Sequence, residues 1–273
     1  MLRKFLLIAF LFNVLFISCA SAEVIGTLTK LNATPEEFRE DNPYTKSDKA
    51  VIATLFAEGI KKEDISFKYY DSIMMMQMAL NKGDINSMVM PEFVGSYMLR
   101  NTHEYNLHGF VILRNPVALS FGFLEDKAEL RDRFNSVLSD INKGKLGMLI
   151  RDYITGPYAD NPPVVKFDNF DNAETITAAV TGDMPPLDYV DAAGTPAGFN
   201  TALLAEIGRR LHVNIKLVNV ETGARAAALK SGRADVVFWI AVFGENFRFD
   251  VPDGIIVSKP YYGWDKVYFI GKK

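Results

Sequence analysis

The spacing of apolar residues in the C-terminal part of the chain predicts a βαβαβ unit. The runs Thr175–Val180, Val213–Val220 and Asp235–Ile240 are short and apolar, which is typical of buried strands. Between them lie two predicted helices, and the second, Ala224–Ser231, ends before a glycine. The first helix has an apolar face at helical spacing, made of Phe199, Leu203, Ile207 and Leu211. Strands that alternate with helices predict a parallel sheet with right-handed crossovers.

Parallel sheets of this kind bind ligands at the carboxyl ends of their strands. In this chain those ends are predicted at Gly182–Pro186 and Trp239–Gly244. Asn200 or Thr201 is expected to cap the first helix, since both residue types accept a hydrogen bond from a helical N–H group.

The part of the chain that precedes this unit alternates in the same way. A strand over Glu23–Leu31 runs into Thr34, Pro35 and Glu37, which have the spacing of a helix capping box. A capped helix after a strand offers N–H groups to an anion, although every capped helix has this pattern. Further helices are predicted at Lys46–Gly59, Ser72–Gly83 and Pro91–Leu99, and further strands at Ile65–Tyr69 and Ile85–Met90.

The second of these helices contains a run of methionines, namely Met74, Met75, Met76 and Met78. Thioethers bind Cu(I), but consecutive methionines in a helix point in different directions. Methionine also fills irregular gaps in hydrophobic cores. The run therefore predicts core packing.

The middle of the chain is predicted to hold a returning strand and two helices. Phe110–Leu113 and Ala118–Phe123 are β-type runs on either side of an Asn-Pro pair. Helices follow at Lys127–Asn142 and Lys145–Ile154, and a Pro-rich linker at Gly156–Asp171. The apolar face of the longer helix comprises Leu130, Phe134, Val137, Leu138 and Ile141. A last strand is predicted at Lys266–Ile270.

Composition and the N-terminus indicate an exported globular protein. The chain has 273 residues, 49% of them hydrophobic, and a net charge of −3 without a basic cluster beyond the first residues, which argues against nucleic-acid binding. A basic start, an apolar run over Phe5–Ser18 and a small-residue site ending at Ala22 predict a signal peptide over residues 1–22. The alternative is lipidation at Cys19, the only cysteine. No metal site or cofactor is expected, because the three histidines are scattered.

Three stretches resemble the first lobe of bacterial extracellular solute-binding proteins that serve polar amino acid ABC transporters. They read GDMPPLDYVDAAGTPAGFNTALLAEIGRRLHVNIKLVNV, ALKSGRADVV and SKPYYGWDKVYF. The stretch YDSIMMMQMALNKGDINSMVMPEF resembles the second lobe of that family, and AELRDRFNSVLSDINKGKLGMLIRDYI its closing helices. The resemblance implies an α/β fold of the type 2 periplasmic binding proteins, with two lobes, a hinge and a ligand cleft between the lobes.

The order of these stretches is cyclically shifted relative to the family. Lobe two comes first, at residues 23–109, and lobe one follows at 110–273. Within lobe one we expect a return hinge with closing helices (110–155), a linker (156–171) and the main βα lobe (172–273). This order predicts a circular permutation, while a domain-swapped dimer or a truncated fusion product stays open.

The resemblance also implies a set of ligand-binding residues. Asn32 and Thr34 stand where the family has a turn for the ligand carboxylate, and Arg248 is the available arginine near the family's carboxylate-binding position. Glu92 is placed near an acid for the ligand ammonium. Met184 stands at the position of an aromatic residue. Further candidates at the cleft are Tyr70, Trp239, Ala241 and Phe243.

The expected function is capture of a small polar ligand, an amino acid or related carboxylate, for an ABC permease in the membrane. The expected location is the periplasm, and the expected state is a monomer. One alternative is a periplasmic enzyme of the same fold, similar to cyclohexadienyl dehydratase, with Glu92, His108 or Glu245 as the acid or base. A second alternative is a ligand sensor for a membrane receptor.

Overall fold

The computed structural model describes residues 22–28, 61–70, 72–141, 144–191, 193–242 and 251–273. Twelve strands are assigned there: β1 (Glu23–Leu28), β2 (Ile65–Tyr70), β3 (Ser87–Pro91), β4 (Tyr105–Leu124), β5 (Thr175–Val180), β6 (Asp183–Met184), β7 (Asp188–Val190), β8 (Pro196–Ala197), β9 (Asn214–Asn219), β10 (Val236–Val242), β11 (Ile255–Val257) and β12 (Tyr262–Lys272). The α-helices are α1 (Ile73–Lys82), α2 (Glu92–Asn101), α3 (Ala128–Ile141), α4 (Lys145–Ile150), α5 (Phe199–Leu211) and α6 (Arg225–Lys230).

One large sheet joins the two parts of the chain that the sequence separates. Its strand order is β2-β1-β3-β12-β4-β10-β5-β9, with β11 paired to β4. At one end β1 runs parallel to β2 and β3, and at the other β5 runs parallel to β9 and β10. The predicted parallel pairing is thus confirmed. We refer to β1–β3 with α1 and α2 as the β1 half, and to residues 156–242, which contain β5 to β10, as the β5 half.

Two long antiparallel strands, β4 and β12, connect the halves. β12 pairs with β3 over Val267–Gly271 and with β4 along most of its length. β4 pairs on its other side with β10. The two runs predicted around Asn115-Pro116 therefore form one strand, and the predicted lobe boundary after residue 109 falls inside it. The register of β12 on β4 shifts between Trp264 and Lys266. Trp264 pairs with Val117, and Lys266 pairs with Ile112. This bulge accommodates a proline that a regular ladder position disfavours.

The β5 half is covered on both faces, because side chains alternate along each strand. In β5, Ile176, Ala178 and Val180 belong to the large core that includes α5. Ala179 points the other way, into a smaller core with Ala226 and Leu229 of α6. Helix α3 packs on the large core with all the apolar residues that the sequence predicts, namely Leu130, Phe134, Val137, Leu138 and Ile141.

Helix α1 begins after Ser72 and ends at Gly83 as predicted, but α5 does not have the predicted N-cap. Ser72 caps α1 by accepting from the Met75 N–H at 3.2 Å, and Gly83 ends it at φ 83°. At α5 the predicted caps Asn200 and Thr201 are wrong, since the N-cap is Gly198 with φ 100°. Asn200 instead accepts a hydrogen bond from the buried Tyr261 hydroxyl at 3.2 Å. A Cβ at Gly198 would lie 2.6 Å from the Pro186 carbonyl oxygen, so close backbone contact selects glycine.

Candidate ligand-binding cleft

A cavity of about 930 Å³ lies between the β1 half and the β5 half. Its wall in the β1 half consists of Ser72, Ile73, Met74, Met75, Gln77, Val94, Tyr97 and Met98. Its wall in the β5 half consists of Thr181, Gly182, Pro185, Tyr189, Val190, Glu221, Gly223 and Ala224. The volume falls within the range of small-molecule sites.

The location of the cleft follows from the topology of the β5 half. Thr181 and Gly182 directly follow β5, and Glu221 lies just beyond the end of β9. These two strands are parallel neighbours, so their carboxyl ends meet at one edge of the sheet. The cleft therefore opens at the edge where open α/β sheets bind ligands.

A buried aspartate fixes the loop after β5. Asp188 is 2% exposed, and its Oδ2 accepts from the backbone N–H and the hydroxyl of Thr181, both at 3.1 Å. Its Oδ1 accepts from the Gly182 N–H at 3.3 Å. Both carboxylate oxygens thus hold the two residues that begin the cleft wall, and charge-assisted bonds of this kind are stronger than neutral ones.

A buried arginine completes this polar floor. Arg225, at the start of α6, is 4% exposed and donates from Nη2 to the Thr181 hydroxyl at 3.2 Å. Among the described residues its Nε has no hydrogen-bond partner. Burial raises the pKa of the Tyr261 hydroxyl, the negative charge of Asp188 raises it further, and Arg225 opposes the rise. The Thr181 hydroxyl thus links the two buried charged groups, since it donates to Asp188 and accepts from Arg225.

The wall in the β1 half is formed by the N-terminus of α1 and one side of α2. Met74, Met75 and Met78 of α1 are 68%, 49% and 65% exposed, so the prediction of core packing is wrong for these three. Met76 is fully buried, as predicted. Consecutive residues of a helix point in different directions, so one core cannot cover every member of the methionine run. Met74 and Met75 line the cleft instead.

The two walls approach each other at a pair of tyrosines. The rings of Tyr97 on α2 and Tyr189 on β7 are 6.3 Å apart between centroids and tilted by 43°. Burial raises the pKa of Tyr189 to about 12, with a further contribution from Tyr97, and burial also raises the pKa of Tyr97. Both hydroxyls are therefore neutral donors at pH 7.

A second contact joins the halves outside the cavity. Arg100 on α2 donates from Nε to Oδ1 of Asp160 at 2.7 Å, and Asn101 donates to the same oxygen at 3.3 Å. Asp160 lies in the segment between the π-helical turn Arg151–Thr155 and β5, the region predicted as a linker. This segment thus holds the end of α2.

Three of the predicted ligand-binding residues have described side chains, and none of them lines the cavity. Tyr70 ends β2, where its ring lies close to Gly26. Glu92 begins α2 and pairs with Lys266 of β12 at 3.3 Å. Met184 is 8% exposed and belongs to the large core. Their roles as ligand-binding residues stay predictions.

The other predicted site residues cannot be placed relative to the cleft. The backbones of Trp239 and Ala241 pair with Ser120 and Ala118 of β4. Asn32, Thr34, Phe243 and Arg248 lie outside the described residues. Of the acid or base candidates for an enzyme, Glu245 also lies outside, and His108 is an exposed residue whose ring packs over Gly271, away from the cavity lining.

Sequence reasoning missed Asp188, Tyr97, Tyr189 and the cleft-facing methionines. One signal was available for Asp188, since an acidic residue two positions after a Pro-Pro pair sits between apolar neighbours. The described residues contain no group of three or more His, Cys, Asp or Glu able to hold a metal ion. No helix in the described part of the chain is long and apolar enough to cross a membrane.

The region that builds one wall and the floor of the cleft matches a known family. The match spans residues 176–242, from β5 to β10. The family is the bacterial extracellular solute-binding proteins, family 3. The match covers about a quarter of the chain and contains Thr181, Asp188 and Arg225. The family resemblance seen in the sequence is thus confirmed, and no curated protein matches the chain.

Solved structures similar to this chain include binding components of transporters. One is a periplasmic binding protein of an ABC transporter from Brucella ovis with glutathione bound, with 14% identity, TM-score 0.45, and coverage of 93% of this chain and 63% of that one. Another is the ligand-binding component of an ABC-type import system from Staphylococcus aureus with zinc bound, with 12% identity, TM-score 0.43, and coverage of 92% and 65%. The chain thus spans less than two thirds of the length of these proteins, and we derive neither ligand nor partner from them.

Proposed function

We propose that this protein is a periplasmic solute-binding protein that captures an amino acid or related small carboxylate and delivers it to an ABC permease. The observation that carries the proposal is the cleft of about 930 Å³ between the two halves, at the carboxyl ends of β5 and β9. Its floor lies in the region that matches the solute-binding family. A binding protein needs such a cleft, walled by two parts that enclose a small ligand.

The polarity of the cleft supports a ligand with both a negative and a positive group. The N-terminus of α1 carries the positive end of a helix dipole and has no acidic residue in its first turn. On the opposite wall, Glu221 provides a carboxylate. A zwitterion placed across the cleft would set its carboxylate toward α1 and its ammonium toward Glu221. Arg248 and Thr34 remain proposed carboxylate partners, and Glu92 a proposed ammonium partner.

The order of the halves supports our proposal of a circular permutation. The β1 half precedes the region that matches the family. Ser87 of β3 pairs with Ile25 of β1 on one side and with Gly271 of β12 on the other, and its hydroxyl donates to Glu23 at 3.0 Å. The start of β1 and the end of β12 are thus two strand spacings apart, about 10 Å. A chain that joins β12 to β1 by a short loop and opens within residues 156–171 should fold and bind the same ligands.

The test is a thermal-shift screen of the protein with amino acids and small carboxylates. A ligand at a hundred times its Kd should stabilise the protein by about 2.7 kcal/mol. Gly223→Trp fills the cleft from a position with open space around its Cβ, and should abolish the shift while leaving the unliganded melting temperature unchanged. Gly147→Trp, equally unobstructed but on α4, is the matched control and should keep the shift.

The outcomes separate ligand capture from catalysis. A shift that Gly223→Trp removes, without conversion of the ligand over hours, supports binding alone. Release of a product would instead favour an enzyme, and absence of a shift with every compound would refute capture of these ligands. Export is tested separately, by the mass of the mature protein in the periplasm, where cleavage after Ala22 or a lipid on Cys19 gives different masses.

A further inference from the structure

Methionine side chains dominate the apolar part of the cleft wall. Met74 and Met75 from α1 and Met98 from α2 line it, together with Ile73 and Val94. Met74 and Met75 remain 68% and 49% exposed, although burial of a large apolar side chain stabilises a fold. Neither side chain is buried in the core of the β1 half. Their free surface is available to a molecule inside the cleft.

The opposite wall is chemically different. It combines the apolar side chains of Pro185 and Val190 with the hydroxyl of Thr181 and the carboxylate of Glu221. Asp188 fixes Thr181 and Gly182 from beneath, so their polar groups keep one geometry. The helical wall is thus mostly apolar, with methionines beside Ser72 and Gln77, whereas the wall at the strand ends mixes apolar surface with fixed polar groups.

We propose that the cleft selects ligands with a large apolar side group, such as methionine, leucine or phenylalanine, which packs on the methionine wall formed by Met74, Met75 and Met98. This inference rests on the proposed function and specifies its ligand class. A polar side group there would lose hydrogen bonds to water without regaining them from thioethers. Unbranched, polarisable methionine adapts to different shapes and contacts aromatic rings favourably. The cleft should therefore accept several apolar side groups with similar affinity.

The test uses matched ligands that differ in polarity but little in length. Calorimetry compares methionine with glutamine, and 4-(methylthio)butanoate with 4-carbamoylbutanoate, which lack the amino group. We expect the apolar member of each pair to bind at least about tenfold more tightly, the lower range for a side-group difference in an apolar pocket. Equal affinity, or tighter binding of the polar member, overturns the methionine wall as the source of selectivity.

Variants locate the effect. Met75→Gln should lower the affinity for methionine about tenfold and reduce the preference over glutamine, whereas Met75→Leu should keep both. Met78→Gln is the matched control, since Met78 is exposed on the same helix but does not line the cavity. An unchanged preference in Met75→Gln and Met74→Gln would refute the proposal.

The two ligand series distinguish failure of this inference from failure of the proposed function. Binding of the carboxylates without binding of either amino acid, and with preference for the apolar carboxylate, would refute an amino acid as the ligand and support the methionine wall. Binding of glutamine alone would support amino acid capture and refute the wall. If no member of either series binds, the methionine wall is refuted, and the thermal-shift screen decides the proposed function separately.

Discussion

Replacing Asp188 by asparagine tests whether the buried carboxylate organises the cleft. The carboxylate receives three hydrogen bonds on its two oxygens, from Thr181 N, Thr181 Oγ1 and Gly182 N. Asparagine has one accepting oxygen and one NH₂ group, so whichever way it turns, a donor faces a donor. The substitution also removes the negative charge beside Arg225, which is 4% exposed.

The free energy of unfolding that Asp188→Asn removes follows from the hydrogen bonds and the charge that are lost. A buried donor left without an acceptor costs about 1–3 kcal/mol. Asp188 and Arg225 are linked through the Thr181 hydroxyl and not by a direct ion pair, so loss of the charge should add less than a broken buried pair costs, which is about 3–5 kcal/mol. We therefore expect Asp188→Asn to destabilise the protein by about 3 kcal/mol, or roughly 6–12 °C in melting temperature for a chain of this size. Ligand affinity should fall as well, because Thr181 and Gly182 line the cleft.

Asp191→Asn is the matched control. Asp191 accepts from Ala193 N and Thr195 N through Oδ1 alone, so an asparagine oxygen can replace it. Urea unfolding should show a change below about 0.5 kcal/mol, as for most surface substitutions. A second variant removes both charges: Asp188→Asn with Arg225→Met should recover part of the stability that Asp188→Asn loses. If Asp188→Asn is as stable as Asp191→Asn, the carboxylate does not organise the loop.

Three further predictions concern the cleft loop, the contact between the halves and a surface helix. Gly182→Ala should lower stability by about 1–2 kcal/mol, since Gly182 has φ 72° and its Cβ would lie 2.5 Å from Val190, whereas Gly223→Ala, with open space, should be neutral by urea unfolding. Asp160→Asn should change stability by less than about 1 kcal/mol. It should nevertheless weaken ligand binding in calorimetry, because Asp160 holds α2 across the halves. Asp152→Asn, whose partner Arg151 is its sequence neighbour, should leave stability and ligand binding unchanged. Burial opposes ionisation of Glu206, but hydrogen bonds from Arg209 and Arg210 outweigh it and lower the pKa, so its stabilisation exists above the ordinary glutamate pKa and is lost as pH falls through the lowered value. The melting temperature of Glu206→Gln should therefore lie below that of the parent at pH 7, and the difference should shrink as pH falls below the ordinary glutamate pKa; a difference independent of pH would contradict this assignment.

Sequence periodicity predicts the elements of this fold well where one face of an element is buried. The apolar residues of α3 recur at helical spacing because they all meet one core, and each of them is buried. Strand β5 has the predicted bounds because its two faces meet separate helical layers. The two apolar runs on either side of Asn115-Pro116 form the single strand β4, as the predicted returning strand requires, and the register with β12 shifts where the Asn-Pro pair interrupts the apolar pattern.

The residues of the cleft are harder to predict because their roles arise from contacts distant in sequence. Three bonds that Asp188 accepts come from residues six and seven positions away, but Arg225, which shares the Thr181 hydroxyl, and Tyr261 are brought there only by folding. The Pro-Pro pair before Asp188 marks the position but does not reveal these contacts, and Asp191, three positions later, makes an ordinary turn. The predicted N-cap of α5 is wrong for a related reason. Close contact with the Pro186 carbonyl selects glycine over a residue with a capping side chain.

The methionines show why apolar periodicity cannot separate a core from a ligand-binding wall. Both need apolar groups, and Met76 and Met75 are adjacent members of the same run, yet one is fully buried and the other is 49% exposed at the cleft. The difference lies in what covers each residue: the core of the β1 half covers Met76, while the surface of Met75 is left for another molecule. The two walls therefore divide recognition between them. Under the proposed selectivity, fixed hydrogen-bonding groups above Asp188 select ligands by geometry, and flexible thioethers on α1 select them by polarity. A ligand must therefore place its polar groups accurately, whereas its side group needs only to be apolar.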